Sequence, residues 1–352
     1  MLEAIKQEIG LTATYNGDGR NISSIYFGGG TPSLLEVSEI QDLLLPIYNK
    51  FDVDKHAEIT LEANPDDINP KKLEAWLDAG VNRLSLGVQT FMDEELTWMN
   101  RAHHAGEAIQ AIKEIKQAGF TNYSADLIFG SPFQSDDILK KNLEILFSEA
   151  VPHISCYALT VEKQTALYHQ AVKKRQLSIN PAKQAEQFLL LMDMMDTNGY
   201  EHYEISNFAK PGMRSRHNSS YWLQHPSGYG VPYYGFGPSA HAYDGINTRK
   251  WNIANNALYI RALEQGSIPF ETENLTPVQQ LNEYIMTSLR TIEGINLELV
   301  KENSGKQVYE ALIKSGSKHI ASGKLLLNNQ TLVLSREGKL FADGIAADLF
   351  FE

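Results

Sequence analysis

The stretch SSIYFGGGTPSLL (residues 23–35) joins a β-branched and aromatic run to three glycines and a Thr-Pro pair. It reads as a strand that ends in a tight turn and leads into a helix, because such runs favour strands and Gly and Pro punctuate them. The same pattern recurs downstream. Strands are expected at 57–62, 83–88, 124–129 and 153–159, with amphipathic helical stretches at 38–50, 70–79, 105–118 and 136–149. Asn69 and Pro70 open the helix at 70–79 and Gly80 closes it, while Gly119 closes the one at 105–118. Strand and helix alternating every roughly 25–40 residues means βαβ units, hence an α/β fold built on a parallel sheet or (β/α) barrel.

Several of these strands end in polar residues or glycine. Gly28, Gly29, Gly30 and Thr31 follow the first strand, Glu62 ends the second, Gln89 follows the third and Asp126 lies near the end of the fourth. In such architectures ligands sit beyond the carboxyl ends of the strands, so the chemistry is expected on one rim. The glycines let a ligand reach backbone groups able to pair with an amino or carboxylate group. The run is neither a Walker A loop nor GxGxxG, and a plain β-to-α turn is the alternative. Carboxylates bind ribose hydroxyls or an ammonium, and arginine forks onto a carboxylate. Glu62, Gln89, Arg101 and Asp126 therefore suit, as a set, a zwitterionic, ribose-bearing ligand. Structural alternatives are an Arg83–Asp126 pair and a loop cap at Gln89.

The composition narrows the function classes. The chain has 352 residues, a net charge of −12, 43% hydrophobic and 21% charged residues, as ordinary globular proteins do. With a pI near 5.4 it lacks the basic footprint of a nucleic-acid binder. One cysteine, Cys156, makes no intrachain disulfide and cannot alone hold zinc or an iron–sulfur cluster. Inside an apolar strand it reads as a small core hydrophobe. LEAIKQEIGL (residues 2–11) mixes charge into a helical pattern, unlike a signal peptide, and no window approaches the roughly 18 uncharged apolar residues of a membrane helix. The expected location is the cytoplasm. The histidines form no HExxH or other metal spacing.

Beyond residue 162 the texture changes. A helix is expected at 181–198, followed by a Gly- and aromatic-rich region, 200–256, holding YEISNF (203–208), HNSSYW (217–222) and GFGPSAH (235–241). Such stretches are often functional loops, with a small surface sheet as the alternative. His217, beside Tyr221 and Trp222, can ligate heme iron while flat rings cover the porphyrin; the alternative is a loop histidine packed on Trp222. Helices at 277–291 and 297–315 and a hairpin at 325–335, turning at Asn328 and Asn329, make a small winged-helix-like α+β unit with a structural or lid role. The expected domains are 1–175, 176–270 and 271–352.

GGGTPSLL (28–35), EANP (62–65), RLSLGVQTF (83–91), DLIFGSP (126–132), HISCYALTVE (153–162), YEISNFA (203–209), RHNSSYW (216–222) and GFGPSAH (235–241) occur in this order, before the ending LSREGKLFADGIAADLF (334–350). Together they resemble the radical-SAM proteins related to oxygen-independent coproporphyrinogen III oxidase, most closely the HemW-type heme chaperones, over nearly the whole chain. The resemblance implies a partial (β/α) radical-SAM barrel, without its first strand, and a C-terminal winged extension. It implies S-adenosylmethionine beside a [4Fe-4S] cluster, with Gly28, Gly29, Gly30 and Thr31 at the methionine amino group. Glu62, Gln89, Arg101 and Asp126 would contact its methionine and ribose parts, and Ala158 would line the adenosyl site. His217, in HNxxYW, would be the heme contact. The implied partners are heme, heme-acceptor proteins and a second copy in a homodimer, with no nucleic acid and no stable membrane insertion.

The family's cluster cysteines, CxxxCxxC, precede the helix that residues 1–10 resemble, and this sequence does not contain them. The expectation is a start assigned at an internal methionine, with a cysteine-free binding protein as the alternative; radical chemistry is not expected of these residues alone. A barrel edge left unpaired would favour association. The competing functions are oxygen-independent coproporphyrinogen III oxidase and a non-catalytic heme- or nucleotide-binding protein.

Overall fold

The computed structural model describes residues 1–15, 21–163, 168, 179–222 and 230–352. Among the described residues seven strands form one sheet: β1 (Asn21–Phe27), β2 (Asp52–Ala63), β3 (Arg83–Gln89), β4 (Tyr123–Phe129), β5 (His153–Ala158), β6 (Glu201–Glu204) and β7 (Asn207–Ala209). Their order is β1-β2-β3-β4-β5-β7-β6. β2 to β5 pair in parallel, and β7 and β6 add an antiparallel edge. The α/β, partial-barrel reading of the sequence holds. The antiparallel edge was not legible, because its strands are only three and four residues long.

Period-two alternation sorts the sheet into two faces. In β3, Leu84, Leu86 and Val88 are wholly buried, while Ser85, Gly87 and Gln89 on the opposite face are half-buried. In β4, Ala125, Leu127 and Phe129 are buried on one face and Ser124 and Asp126 lie on the other. Each fully buried leucine or valine contributes roughly 1.5–3 kcal/mol by leaving water.

Helices α1 (Leu2–Tyr15), α2 (Val37–Lys50), α3 (Pro70–Asp78), α4 (Asp93–Trp98), α5 (Ala105–Gln117), α6 (Asp136–Ser148) and α7 (Pro181–Thr197) alternate with these strands or follow them. The chain divides into two compact units. One comprises Tyr26–Leu34 and Glu58–Ser215, the other Met1–Ile25, Leu35–Ala57 and Arg216–Glu352. In the first, α3, α5 and α6 bury apolar stripes such as Leu73 and Trp76, Ile112 and Ile115, and Leu139 and Leu143. Asn69 caps α3 by accepting from the Lys72 N–H, and Ser135 caps α6 by accepting from Ile138.

The second unit continues through α8 (Arg216–Ser220), β8 (His241–Tyr243), β9 (Thr248–Asn252), α9 (Asn256–Glu264) and β10 (Phe270–Asn274). β8, β9 and β10 form a small antiparallel sheet, the alternative to functional loops that the sequence left open for this region. Next come α10 (Pro277–Leu289), β11 (Ile295–Asn296), α11 (Leu297–Ser304), α12 (Lys306–Ala321), β12 (Leu325–Asn328), β13 (Thr331–Leu334) and α13 (Ala342–Asp348). The single helix expected at 297–315 is two, broken at Gly305, whose φ of +88° no continuous helix accommodates. Among the described residues no helix is long and apolar enough to cross a membrane.

Candidate functional site

The strand ends of the first unit bring the polar rim together. Tyr26, at the end of β1, donates its hydroxyl to Glu62 Oε1 at 2.8 Å. A Cβ on Gly28 would lie 2.6 Å from the Tyr26 ring and 2.8 Å from Glu62 Oε1, so only glycine lets the turn pass that close. Gly28, Gly29 and Gly30 are exposed and Thr31 is half-buried. The loop is anchored at Ser33, whose hydroxyl donates to Asp67 Oδ2 at 2.6 Å and whose carbonyl accepts from Lys72 at 3.1 Å.

Gln89, Arg101 and Asn64 converge beside the backbone of Gly87. A Cβ there would meet Gln89 Nε2 at 3.1 Å, Arg101 Nη2 at 3.2 Å and Asn64 Oδ1 at 3.4 Å. Arg101 Nη2 donates to Asn64 Oδ1 at 2.6 Å and to the Gly87 carbonyl at 3.2 Å. Gln89 holds a φ of +67°, at an irregular register between β3 and β4, which turns the backbone out of the ladder. Strained backbone of this kind clusters at ligand sites.

Asp126 lies on the same face, paired in register with Ser155 of β5, and accepts from the Ser85 hydroxyl at 3.3 Å. Burial pushes its carboxyl up to about 6; the Ser155 and Ser85 hydroxyls oppose this rise and Glu62 adds to it. Its Oδ1 is buried with no hydrogen-bond partner among the described residues, an acceptor suited to a ligand hydroxyl. Ala158 is exposed at the end of β5, opposite Phe129. Thus acceptors at Glu62 and Asp126, amide and guanidinium donors at Gln89 and Arg101, and a bare glycine loop all lie in one unit, a donor set that fits a zwitterion carrying hydroxyls.

Arg83 and Asp126 do not form the hydrogen-bonded pair considered from sequence. Arg83 instead donates to Asn122, deeper on the same face. There it is 1% exposed and Glu58 is 4% exposed, with the Ser215 hydroxyl donating to Glu58 at 3.2 Å. His153 Nε2 lies 2.7 Å from the Tyr203 hydroxyl, and burial holds its imidazole well below the usual range. This layer is structural.

His217 belongs to the other unit. It sits in the five-residue helix α8, half-buried, not on an open loop. Its Nδ1 is 3.1 Å from Ser24 Oγ of β1, and its Nε2 is 3.3 Å from the Tyr221 hydroxyl. The Tyr221 ring stands edge-on to the imidazole, with centroids 5.2 Å apart, whereas Trp222 carries the Arg290 guanidinium over its face. Tyr221 is 48% exposed and lies edge-on to Tyr233.

Tyr26, Asn64 and Ser85 were missed as site residues. Tyr26 and Asn64 stand inside the quoted YFGGG and EANP runs, so proximity to the motif was an available signal. Ser24 carried none, since its contact with His217 spans 193 positions.

Cys156 is 1% exposed, and burial pushes its thiol far above the usual range. It is the sequence's only cysteine. Among the described residues no group of three or more His, Cys, Asp or Glu is arranged to hold a metal ion. These residues do not fit a [4Fe-4S] cluster.

Comparison with known proteins supplies the rest. The Radical SAM superfamily matches residues 3–146, and the HemN C-terminal domain matches 275–341. The heme chaperone HemW of Bacillus subtilis is 34% identical over 348 residues, which cover 98% of this chain and 89% of that one. HemW of Mycobacterium tuberculosis is 32% identical, covering 99% and 85%. A solved structure of coproporphyrinogen III oxidase (HemN) from Escherichia coli superposes with a TM-score of 0.84 at 21% identity, covering 99% of this chain and 82% of that one; this likeness is one of fold.

Proposed function

The chain belongs to the HemW family of radical-SAM proteins, and from that premise we propose that it is a heme chaperone, binding heme and handing it to acceptor proteins in the cytosol. The observation that carries this is identity of 32–34% to relatives named heme chaperones over nearly the full chain. The HemN likeness supports the fold alone and gives coproporphyrinogen oxidation no independent support.

His217 is the proposed heme contact. An imidazole with one nitrogen held by a hydroxyl and an aromatic ring at its edge is a suitable axial donor. The rim of the other unit is the proposed S-adenosylmethionine site. Gly28, Gly29, Gly30 and Thr31 would receive the methionine amino group, while Gln89 and Arg101 present donors to its carboxylate. Glu62, Asp126 and the exposed end of β5 at Ala158 would take the ribose and adenosyl parts. The bound molecule would supply an adenosyl sulfonium, and these residues bind and orient it. No step through the cluster is assigned to this chain, whose single thiol is buried and protonated.

A hemin titration tests the reading. A saturable Soret band is expected for the protein and a shifted, weaker one for His217→Ala, with hemin passing from the protein to apomyoglobin. Absence of saturable hemin binding would overturn the chaperone reading; an unchanged spectrum in His217→Ala would remove His217 as the ligand. Anaerobic conversion of coproporphyrinogen III to protoporphyrinogen would favour the oxidase.

A further inference from the structure

Two hydroxyls from different elements address the two ring nitrogens of His217. Ser24 Oγ is 3.1 Å from Nδ1, and Tyr221 Oη is 3.3 Å from Nε2. A neutral imidazole has one N–H and one lone pair, so one of these hydroxyls accepts and the other donates. A phenol is a stronger acid than an alkyl alcohol and the better donor. The pair therefore favours the tautomer in which Nδ1–H donates to Ser24 and the Tyr221 O–H donates to the Nε2 lone pair.

The two partners differ in how firmly they are held. Ser24 is half-buried on a β-strand, and the backbone of His217 is fixed by the Ser220 hydroxyl donating to its carbonyl at 2.7 Å. Tyr221 is nearly half exposed and touches the imidazole only by its edge and its hydroxyl. The longer of the two contacts thus belongs to the more accessible side chain, which a rotation about its side-chain torsions would withdraw.

Resting on the heme-chaperone reading above, we propose that Tyr221 competes with heme iron for the Nε2 lone pair of His217, while Ser24 holds the imidazole in the tautomer that can donate it. Binding then exchanges an O–H···N hydrogen bond for an iron–nitrogen bond, and release exchanges it back. Tyr221 is a release device, since it stabilises the heme-free state without contributing to the loaded one. Ser24 is a positioning residue of the kind that orients a metal-bound histidine through its other nitrogen. A hydrogen bond of this type has a net worth of about 0.5–1.5 kcal/mol, which corresponds to roughly 2- to 10-fold in affinity.

The test compares wild type, Tyr221→Phe, Ser24→Ala and His217→Ala in the full chain. Hemin dissociation is followed by capture with apomyoglobin, and iron-free protoporphyrin IX serves as a second probe. Tyr221→Phe is expected to hold hemin about 2- to 10-fold longer than wild type and to leave protoporphyrin IX affinity unchanged, because no iron then contests the lone pair. Ser24→Ala is expected to release hemin faster, by roughly 10-fold or more, with a shifted Soret band. Equal or faster hemin release from Tyr221→Phe would overturn the competition. So would an equal change for the iron-free ring, which would make Tyr221 a contact to the macrocycle. If wild type binds no hemin, or His217→Ala keeps the wild-type spectrum, the failure lies with the underlying reading. Matching far-ultraviolet spectra of the four proteins check that each is folded.

Discussion

The Tyr26 hydroxyl donates to Glu62 Oε1 at 2.8 Å, and both side chains stand where a Cβ on Gly28 would have to go. The end of β1, the end of β2 and the first glycine of the loop are thus one packed unit. Two positions on, Gly30 has nothing within 4 Å of the corresponding point. Gly28→Ala is therefore expected to cost about 1–3 kcal/mol, the range for inserting a carbon into a filled site. Gly30→Ala should stay within roughly 0.5 kcal/mol of wild type, as open surface substitutions do. Urea unfolding of the two variants is the check, and equal midpoints would refute the packing argument.

Asp126 gives a pH signature. Its carboxyl lies at about 6 against an ordinary 3.8, because burial disfavours the charged form. The folded chain therefore holds this proton more tightly than the unfolded chain. That contribution to stability is full below about pH 4 and is lost as pH rises through about 6. The gap corresponds to roughly 3 kcal/mol at most. Asp126→Asn keeps the shape without the charge, so it should exceed wild type in stability by about 1–3 kcal/mol at pH 8 and match it near pH 4. His153 acts with the opposite sign, since burial lowers its pKa and its contribution is lost as pH falls below about 6.5. It is common to both proteins and cancels in the difference. A wild-type-to-variant gap that ignores pH would refute the assignment.

What was legible in the sequence follows from which interactions are local. The parallel strands and their helices could be read because Leu84, Leu86 and Val88 alternate with Ser85 and Gly87, and because Asn69 with Pro70 marks a helix start from its immediate neighbours. The rim residues Glu62, Gln89 and Asp126 stood out because each lies at or near a strand end, and Arg101 because it follows the third of these strands. Illegible were partners fixed by the fold alone. Ser24 reaches His217 from 193 positions away, and Arg83 turns to Asn122 rather than to Asp126. The break at Gly305 was hidden by apolar periodicity continuing on both sides of it.

Arg83 is the guanidinium buried beneath the candidate site. Desolvation pushes it below the usual range, and Glu58 is the strongest charge opposing that. Removing one member of a buried charged pair leaves the other uncompensated, which typically costs about 3–5 kcal/mol. Arg83→Leu should lose that much, and Arg83→Leu combined with Glu58→Leu should recover part of it. The double-variant cycle reads the coupling directly from urea unfolding, with an expected interaction of about 0.5–3 kcal/mol. Strict additivity would mean that the two residues do not share a network.

Glu8 tests what the GFGPSAH motif is for. Its carboxylate, 3% exposed on α1, accepts from the Gly237 N–H at 2.8 Å, from Asn252 Nδ2 at 2.6 Å and from the Tyr259 hydroxyl. Burial is the main influence on its pKa and raises it, and the three donors pull against that rise. The motif's Gly237 thus has a structural task within its own unit, tying the first helix to β9 and α9. Glu8→Gln separates acceptor count from size, since an amide keeps the volume but replaces one acceptor oxygen with a donor. Whichever way that amide turns, its nitrogen faces the Asn252 amide or the Gly237 N–H, so one buried donor loses its acceptor at a cost of about 1–3 kcal/mol. Glu8→Ala removes all the acceptors and leaves a cavity, and it should cost more. Unfolding curves for the pair should rank alanine below glutamine below wild type. A glutamine variant as stable as wild type would show that a protonated Glu8 already donates to one of these partners, and the direction of its hydrogen bonds would have to be reassigned.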